Sequence, residues 1–246
     1  MANSSAPGRR DFLRRSIALV PASAALGAAG AAGVAGAADA AAAAQAANPP
    51  AAAPYTPAYF NADEWAFVKA AVSRLIPSDA EGPGAIEAGV PEFIDRQMDT
   101  AWGNGGLWYM QGPFAPDASP LFGYQNPMPP RELYRASIAA LDAACRQQRG
   151  GKTFAQLDAA AQDEVLHALD QRKLQLDGVP AKDFFDMLLQ NAKEGYFSDP
   201  IHGGNKNAAA WAMIGFPGAR ADYLDWVNRP GERYPLPPVS IAGPQG

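Results

Sequence analysis

Apolar residues recur at helical spacing in five stretches of this chain, and no useful length of it alternates as a half-buried strand does. The first stripe is Trp65, Val68, Val72, Leu75 and Ile76. Asn61-Ala62-Asp63-Glu64 opens it as a capping box: Asn61 can accept from a first-turn amide while Glu64 reaches back. Phe60 and Trp65 flank that cap as a hydrophobic staple, and Pro77 closes the helix. A second helix is predicted from about Pro91 to Trp102, with Phe93, Ile94 and Met98 inward and Pro91 in the first turn. A third runs from Pro130 to about Arg149 on the stripe Tyr134, Ile138, Leu141 and Cys145, and Gly150-Gly151 ends it. Thr153-Phe154-Ala155-Gln156 is a second capping-box pattern, opening a fourth helix through Val165, Leu166 and Leu169. Residues 181–194 make the fifth, carrying Phe184, Phe185, Leu188 and Leu189.

The pattern predicts a mainly α fold: a compact helical domain of about five helices, residues 59–230, joined by long ordered loops rich in Gly, Pro and aromatics. Residues 41–58 are rich in Ala and Pro and read as a linker. The Pro-rich tail 231–246 is expected to be extended and to lie on another surface. The longest irregular segment, Gly103 to Pro129, holds Trp108, Tyr109, Phe114, Phe122 and Tyr124. A loop of that length in a compact domain is functional or disordered, and its aromatic content argues for order. Those rings either plug the core or serve as anchors for a partner, as Trp and Tyr often do.

Residues 1–40 read differently. Arg9 and Arg10 are followed by Asp11, Phe12, Leu13 and Arg14, a run that resembles the twin-arginine export consensus, with Gly8 where Ser or Thr is preferred. A charge-free stretch from Ser16 to Ala38 follows, then small residues suited to cleavage, Ala38-Asp39-Ala40 among them. The stretch is long enough to span a bilayer, but its Ala, Gly and Pro21 content is weakly apolar for an anchor. The expectation is a cleaved leader and a periplasmic address. That route carries proteins folded before export, often around a cofactor, as the resemblance implies.

The leader holds four Arg and two Asp of the chain's 20 basic and 25 acidic side chains; the remaining 206 residues keep 16 and 23, net −7. An acidic balance argues against a nucleic-acid partner. Past the leader no apolar run is long enough to cross a membrane, so membrane attachment is expected only through partners. Two histidines, His167 and His202, and one cysteine make a zinc, haem or iron–sulfur site improbable, and no dinucleotide, phosphate-loop or nucleophile-elbow motif is present. No catalytic residue, metal ligand or cofactor site is assigned to this chain.

Two groups invite closer reading. Asp199 is placed to orient His202 as a general base; equally, Gly195, Pro200 and Gly203-Gly204 suit a helix end running into a tight turn. Cys145 lies on an apolar stripe, which suits a buried core thiol, yet near a helix end where an intersubunit disulfide is chemically open in an oxidising compartment.

Three stretches together resemble the third, small subunit of gluconate 2-dehydrogenase and its relatives. They are Leu75-Ile76-Pro77 with Gly82-Pro83-Gly84-Ala85, Ala88-Gly89-Val90 and Phe93-Ile94-Asp95; Trp108-Tyr109, Gly112-Pro113-Phe114, Gly123-Tyr124-Gln125 and Glu132-Leu133-Tyr134; and residues Glu194 to Asn205, EGYFSDPIHGGN, followed by Trp211 and Ile214-Gly215-Phe216-Pro217-Gly218. The resemblance spans roughly residues 59–220. It implies a small subunit of a membrane-bound dehydrogenase for sugar acids, sugars or polyols. In that arrangement a large flavoprotein subunit holds FAD and does the chemistry, and a multihaem cytochrome c subunit takes the electrons. The small subunit is needed for assembly or export of the large one. Trp108, Tyr109, Phe114, Tyr124, Cys145, Tyr196, Phe197, His202, Asn205 and Trp211 are then candidates for the partner interface. Two rival expectations stand beside this one: an independent periplasmic enzyme built on Asp199 and His202, and a free-standing periplasmic binding or scaffold protein.

Overall fold

A computed structural model describes residues 54–243; the proposed leader, with Arg9, Arg10, Phe12 and Leu13, lies outside them. Among the described residues the architecture is six α-helices joined by loops and short 3-10 turns, with isolated bridges and no sheet. The helices are α1 (Ala62–Leu75), α2 (Val90–Met98), α3 (Pro130–Gln148), α4 (Ala159–Asp170), α5 (Ala181–Phe197) and α6 (Ala209–Ile214). The mainly α class predicted from periodicity is what the chain adopts.

α5 is the hub: α1, α2, α3, α4 and α6 all pack against it. Its Phe184, Phe185 and Leu188 are fully buried. Phe184 meets Phe67 of α1 at 6.1 Å between ring centroids and Tyr134 of α3 edge-on at 5.5 Å. The predicted stripes of α1, α2 and α3 are in the same core, including Val68, Val72, Ile94, Met98, Ile138 and Leu141. Each such side chain contributes about 2–5 kcal/mol against truncation to Ala. Tyr134 is wholly buried but satisfied, its hydroxyl donating to Asn191 Oδ1 at 2.9 Å.

The helix ends show which local signals won. At α1, Asn61 Oδ1 accepts from the amides of Asp63 and Glu64 at 3.0 Å, and the Asn61 amide donates to Glu64 Oε2 at 3.0 Å. The staple partners differ from expectation: Trp65 lies 5.9 Å from the ring of Tyr55, while Phe60 turns to Tyr134 at 5.9 Å. α2 stops at Met98, short of Trp102, because the chain turns at Asp99 and Thr100, where the Thr100 amide bonds back to the Gln97 carbonyl.

The Thr153 capping box closes only the 3-10 turn Phe154–Gln156. Leu157 then extends, and α4 begins afresh with Asp158 accepting from the Ala161 amide at 2.9 Å. α5 runs to Phe197, one turn beyond the predicted 194, and α6 was not foreseen as a helix.

Both ends of the described chain are fastened by carboxylates. Fully buried Asp95 of α2 accepts from the Tyr55 hydroxyl at 2.6 Å and the amides of Ala58, Tyr59 and Phe60 at 2.7, 3.1 and 3.0 Å. Anchoring therefore starts at Tyr55, ahead of the boundary placed near Tyr59. The tail folds back on its own domain: Val239 bridges Gly218, and Asp199 holds Ser240 and Ile241. Among the described residues no helix is long and apolar enough to cross a membrane.

Candidate functional site

Apart from Cys145, which lies in α3, the sequence-predicted residues fall into two places, one at the end of α5 and one along the aromatic loop. At the end of α5, buried Tyr196 donates its hydroxyl to the Pro83 carbonyl at 2.7 Å, and the Phe197 carbonyl accepts the indole N–H of Trp211 at 2.8 Å. Asn205 is fully buried in a left-handed conformation; its Nδ2 donates to the Ser198 carbonyl and its Oδ1 accepts from the Ala210 amide, both at 2.9 Å. An asparagine suits that backbone because its short amide can bond locally. At Gly204 a Cβ would sit 2.1 Å from the Gly195 carbonyl oxygen, so the backbone crossing there excludes any side chain. Glu92 adds a two-cation clamp, meeting Arg96 at 2.5 Å and Lys206 at 2.7 Å. The stretch from Tyr196 to Trp211 is thus a lock between α2, α5 and α6.

Asp199 and His202 stand on the outside of this lock. Asp199 accepts from the Ser240 hydroxyl at 2.6 Å and from the amides of Ile241 and Ile201 at 2.9 and 3.1 Å. Burial pushes its carboxyl up, but those hydrogen bonds and nearby His202 outweigh burial and hold it below the usual carboxylate range. The His202 amide donates to the Asp199 backbone carbonyl at 3.0 Å, but among the described residues no hydrogen bond joins the Asp199 carboxylate to the exposed His202 imidazole. The geometry therefore commits the carboxylate to the tail instead of to orienting an imidazole.

The aromatic loop splits between the two roles its sequence left open. Trp102 and Trp108 pack edge-on at 6.0 Å, Trp108 lies 4.6 Å from Tyr124, and the Tyr124 hydroxyl donates to the Met128 carbonyl at 2.7 Å. Phe114 is half-buried. Tyr109, Leu121 and Phe122 instead face outward, 76, 96 and 75% exposed. Trp108 and Tyr124 form one wall of a groove of about 810 Å³ whose other wall is α5, with Asp183, Asp186 and Glu194. Burial, then the charge of Asp183, pushes the Tyr124 phenol up. A second set of exposed apolar side chains, Phe216, Leu224, Val227 and Leu236, lies toward the C-terminus.

Cys145 is in the core, 3% exposed, beside Val165 and Ala168. Burial, then the nearby Asp142 carboxylate, pushes its thiol up to about 11. Among the described residues no group of three or more His, Cys, Asp or Glu is placed to hold a metal ion.

Sequence reasoning missed the anchoring carboxylates. Asp95 sits between Ile94 and Met98 of an apolar stripe, a signal of a buried acid, but its donors lie 35 or more residues earlier and became identifiable only in three dimensions. In comparison with known proteins, a family model described as gluconate 2-dehydrogenase subunit 3 matches residues 62–218. No curated protein and no solved structure matches the chain.

Proposed function

Because this chain belongs to the gluconate 2-dehydrogenase subunit 3 family, a family of dehydrogenase-complex subunits, we propose that it is the non-catalytic small subunit of a periplasm-facing, FAD-dependent dehydrogenase acting on a sugar acid, sugar or polyol. The large flavoprotein subunit holds the FAD and oxidises the substrate, and a multihaem cytochrome c subunit receives the electrons and supplies the membrane attachment. This chain escorts the large subunit through assembly and twin-arginine export and stays bound to it.

The family match over residues 62–218 carries the reading. Two features agree with it. The leader has Arg9, Arg10, Phe12 and Leu13 in the order that a twin-arginine signal requires. The lock around Asn205 gives the run from Glu194 to Asn205 a structural role, while Asp199 is engaged with the tail.

Replacing Arg9 and Arg10 by Lys tests the escort role. The expected result is a large subunit retained in the cytoplasm with loss of periplasmic dehydrogenase activity. A large subunit that still reaches the periplasm overturns it.

A further inference from the structure

The groove between the aromatic loop and α5 has a chemistry that the lock at the end of α5 lacks. Its lining carries four carboxylates, Asp117, Asp183, Asp186 and Glu194, against two cations, Arg172 and Lys182. Lys182 is already spent on Asp186, one turn away on the same helix. Asp117 and Asp183 have no ion pair among the described residues. The same lining holds Trp108 and Tyr124, and the π faces of such rings attract cations. A net negative lining that includes aromatic rings suits a guanidinium, which stacks on a ring and donates to carboxylates from the same plane.

The lip of the groove says what carries that guanidinium. Leu121 and Phe122 stand beside the lining residues Gly123 and Tyr124 and are 96 and 75% exposed. Leu107 and Tyr109, flanking Trp108, are 69 and 76% exposed. Exposed apolar side chains next in the chain to the lining of a polar depression suit a protein contact, and a free small molecule would leave them wet. Asp183 is also partly desolvated: burial, then the charge of Asp186, pushes its carboxyl up, against the pull of Lys182 and Arg172. An arriving cation would relieve that cost.

We propose that this groove is the docking site for a cationic segment of the partner dehydrogenase subunit, an arginine flanked by apolar residues, with the ring pair Trp108–Tyr124 and Asp183 gripping the guanidinium and the Leu121–Phe122 lip covering its neighbours. The proposal rests on the complex described above and specifies which surface of this chain holds it together.

The test uses the full chain co-expressed with its large subunit. The complex is purified through this chain, and retention of the large subunit is measured at low and raised salt. The combined Asp117→Lys and Asp183→Lys variant is expected to weaken retention by about tenfold or more, and wild-type retention is expected to fall as salt rises. The isolated variant should melt with the wild-type chain. If it does not, the milder Asp117→Asn, Asp183→Asn pair is read by the same standard. Full retention in a variant that melts normally overturns the groove while leaving the complex intact. A wild-type chain that retains no dehydrogenase subunit overturns the complex and the groove together. A groove that binds only a second copy of this chain, seen as a dimer lost in the charge-reversed variant, also overturns the proposal.

Discussion

The Asp199 carboxylate accepts the Ser240 hydroxyl at 2.6 Å, joining the end of the α5 lock to a residue 41 positions later. With the Ile241 amide at 2.9 Å on the other oxygen, this closes the tail over the domain. The folded carboxyl is held below its ordinary value. Its contribution is therefore complete above the unfolded value near 4 and is lost as pH falls through the lower folded value. Hydrogen exchange of the Ile241 amide should stay slow at neutral pH and accelerate, after correction for intrinsic rates, only below about pH 4. Asp199→Ala should show fast exchange at every pH while the helical core still melts cooperatively.

Asp95 predicts a larger effect. Its removal leaves the Tyr55 hydroxyl and three backbone amides without their acceptor. Asp95→Ala should cost about 3 kcal/mol, read as a lower midpoint in urea, and Asp95→Asn should cost less because one oxygen remains. Proteolysis should cut first near residues 55–60.

Gly204 tolerates no side chain. Gly204→Ala would place a methyl carbon 2.1 Å from the Gly195 carbonyl oxygen, backbone against backbone, where neither group can rotate away. A loss of about 3 kcal/mol is expected, with a fall in thermal midpoint. Gly150→Ala, which meets nothing within 4 Å but has a positive φ, should cost less, about 1 kcal/mol.

Cys145 should be silent in the folded protein. A thiol 3% exposed and shifted to about 11 has little thiolate at neutral pH and little access. Alkylation followed by mass spectrometry should show negligible modification in the native chain and full modification in denaturant. Native labelling at the denatured rate would put the sulfur at the surface.

The helices were legible because their stripes are strong: Val68 and Val72, Ile94 and Met98, and Tyr134 to Cys145 are buried as the period requires. Boundaries failed where two local signals competed. Thr153 and Asp158 each satisfy a cap, and only tertiary packing decided: buried Asp142 accepts the Phe154 amide at 2.9 Å and holds the short turn apart from α4. The aromatic loop was legible as ordered but not as divided, because nothing local distinguishes Trp108, which packs between Trp102 and Tyr124, from neighbouring Tyr109, which faces water. The carboxylate anchors were illegible for the same reason: their partners are distant in sequence.

The position of the hub helix along the chain has a consequence for biosynthesis. α5 occupies residues 181–197, and the lock that secures it reaches Trp211, so the earlier helices, although α1 packs directly on α2, α3 and α4, cannot complete their shared core until most of the chain has left the ribosome. The arginine pair at positions 9 and 10 is by then long synthesised. Under the export role proposed above, an address made first on a body that compacts last sets an order of events: whatever reads that address meets an unfinished passenger unless recognition is delayed until translation ends.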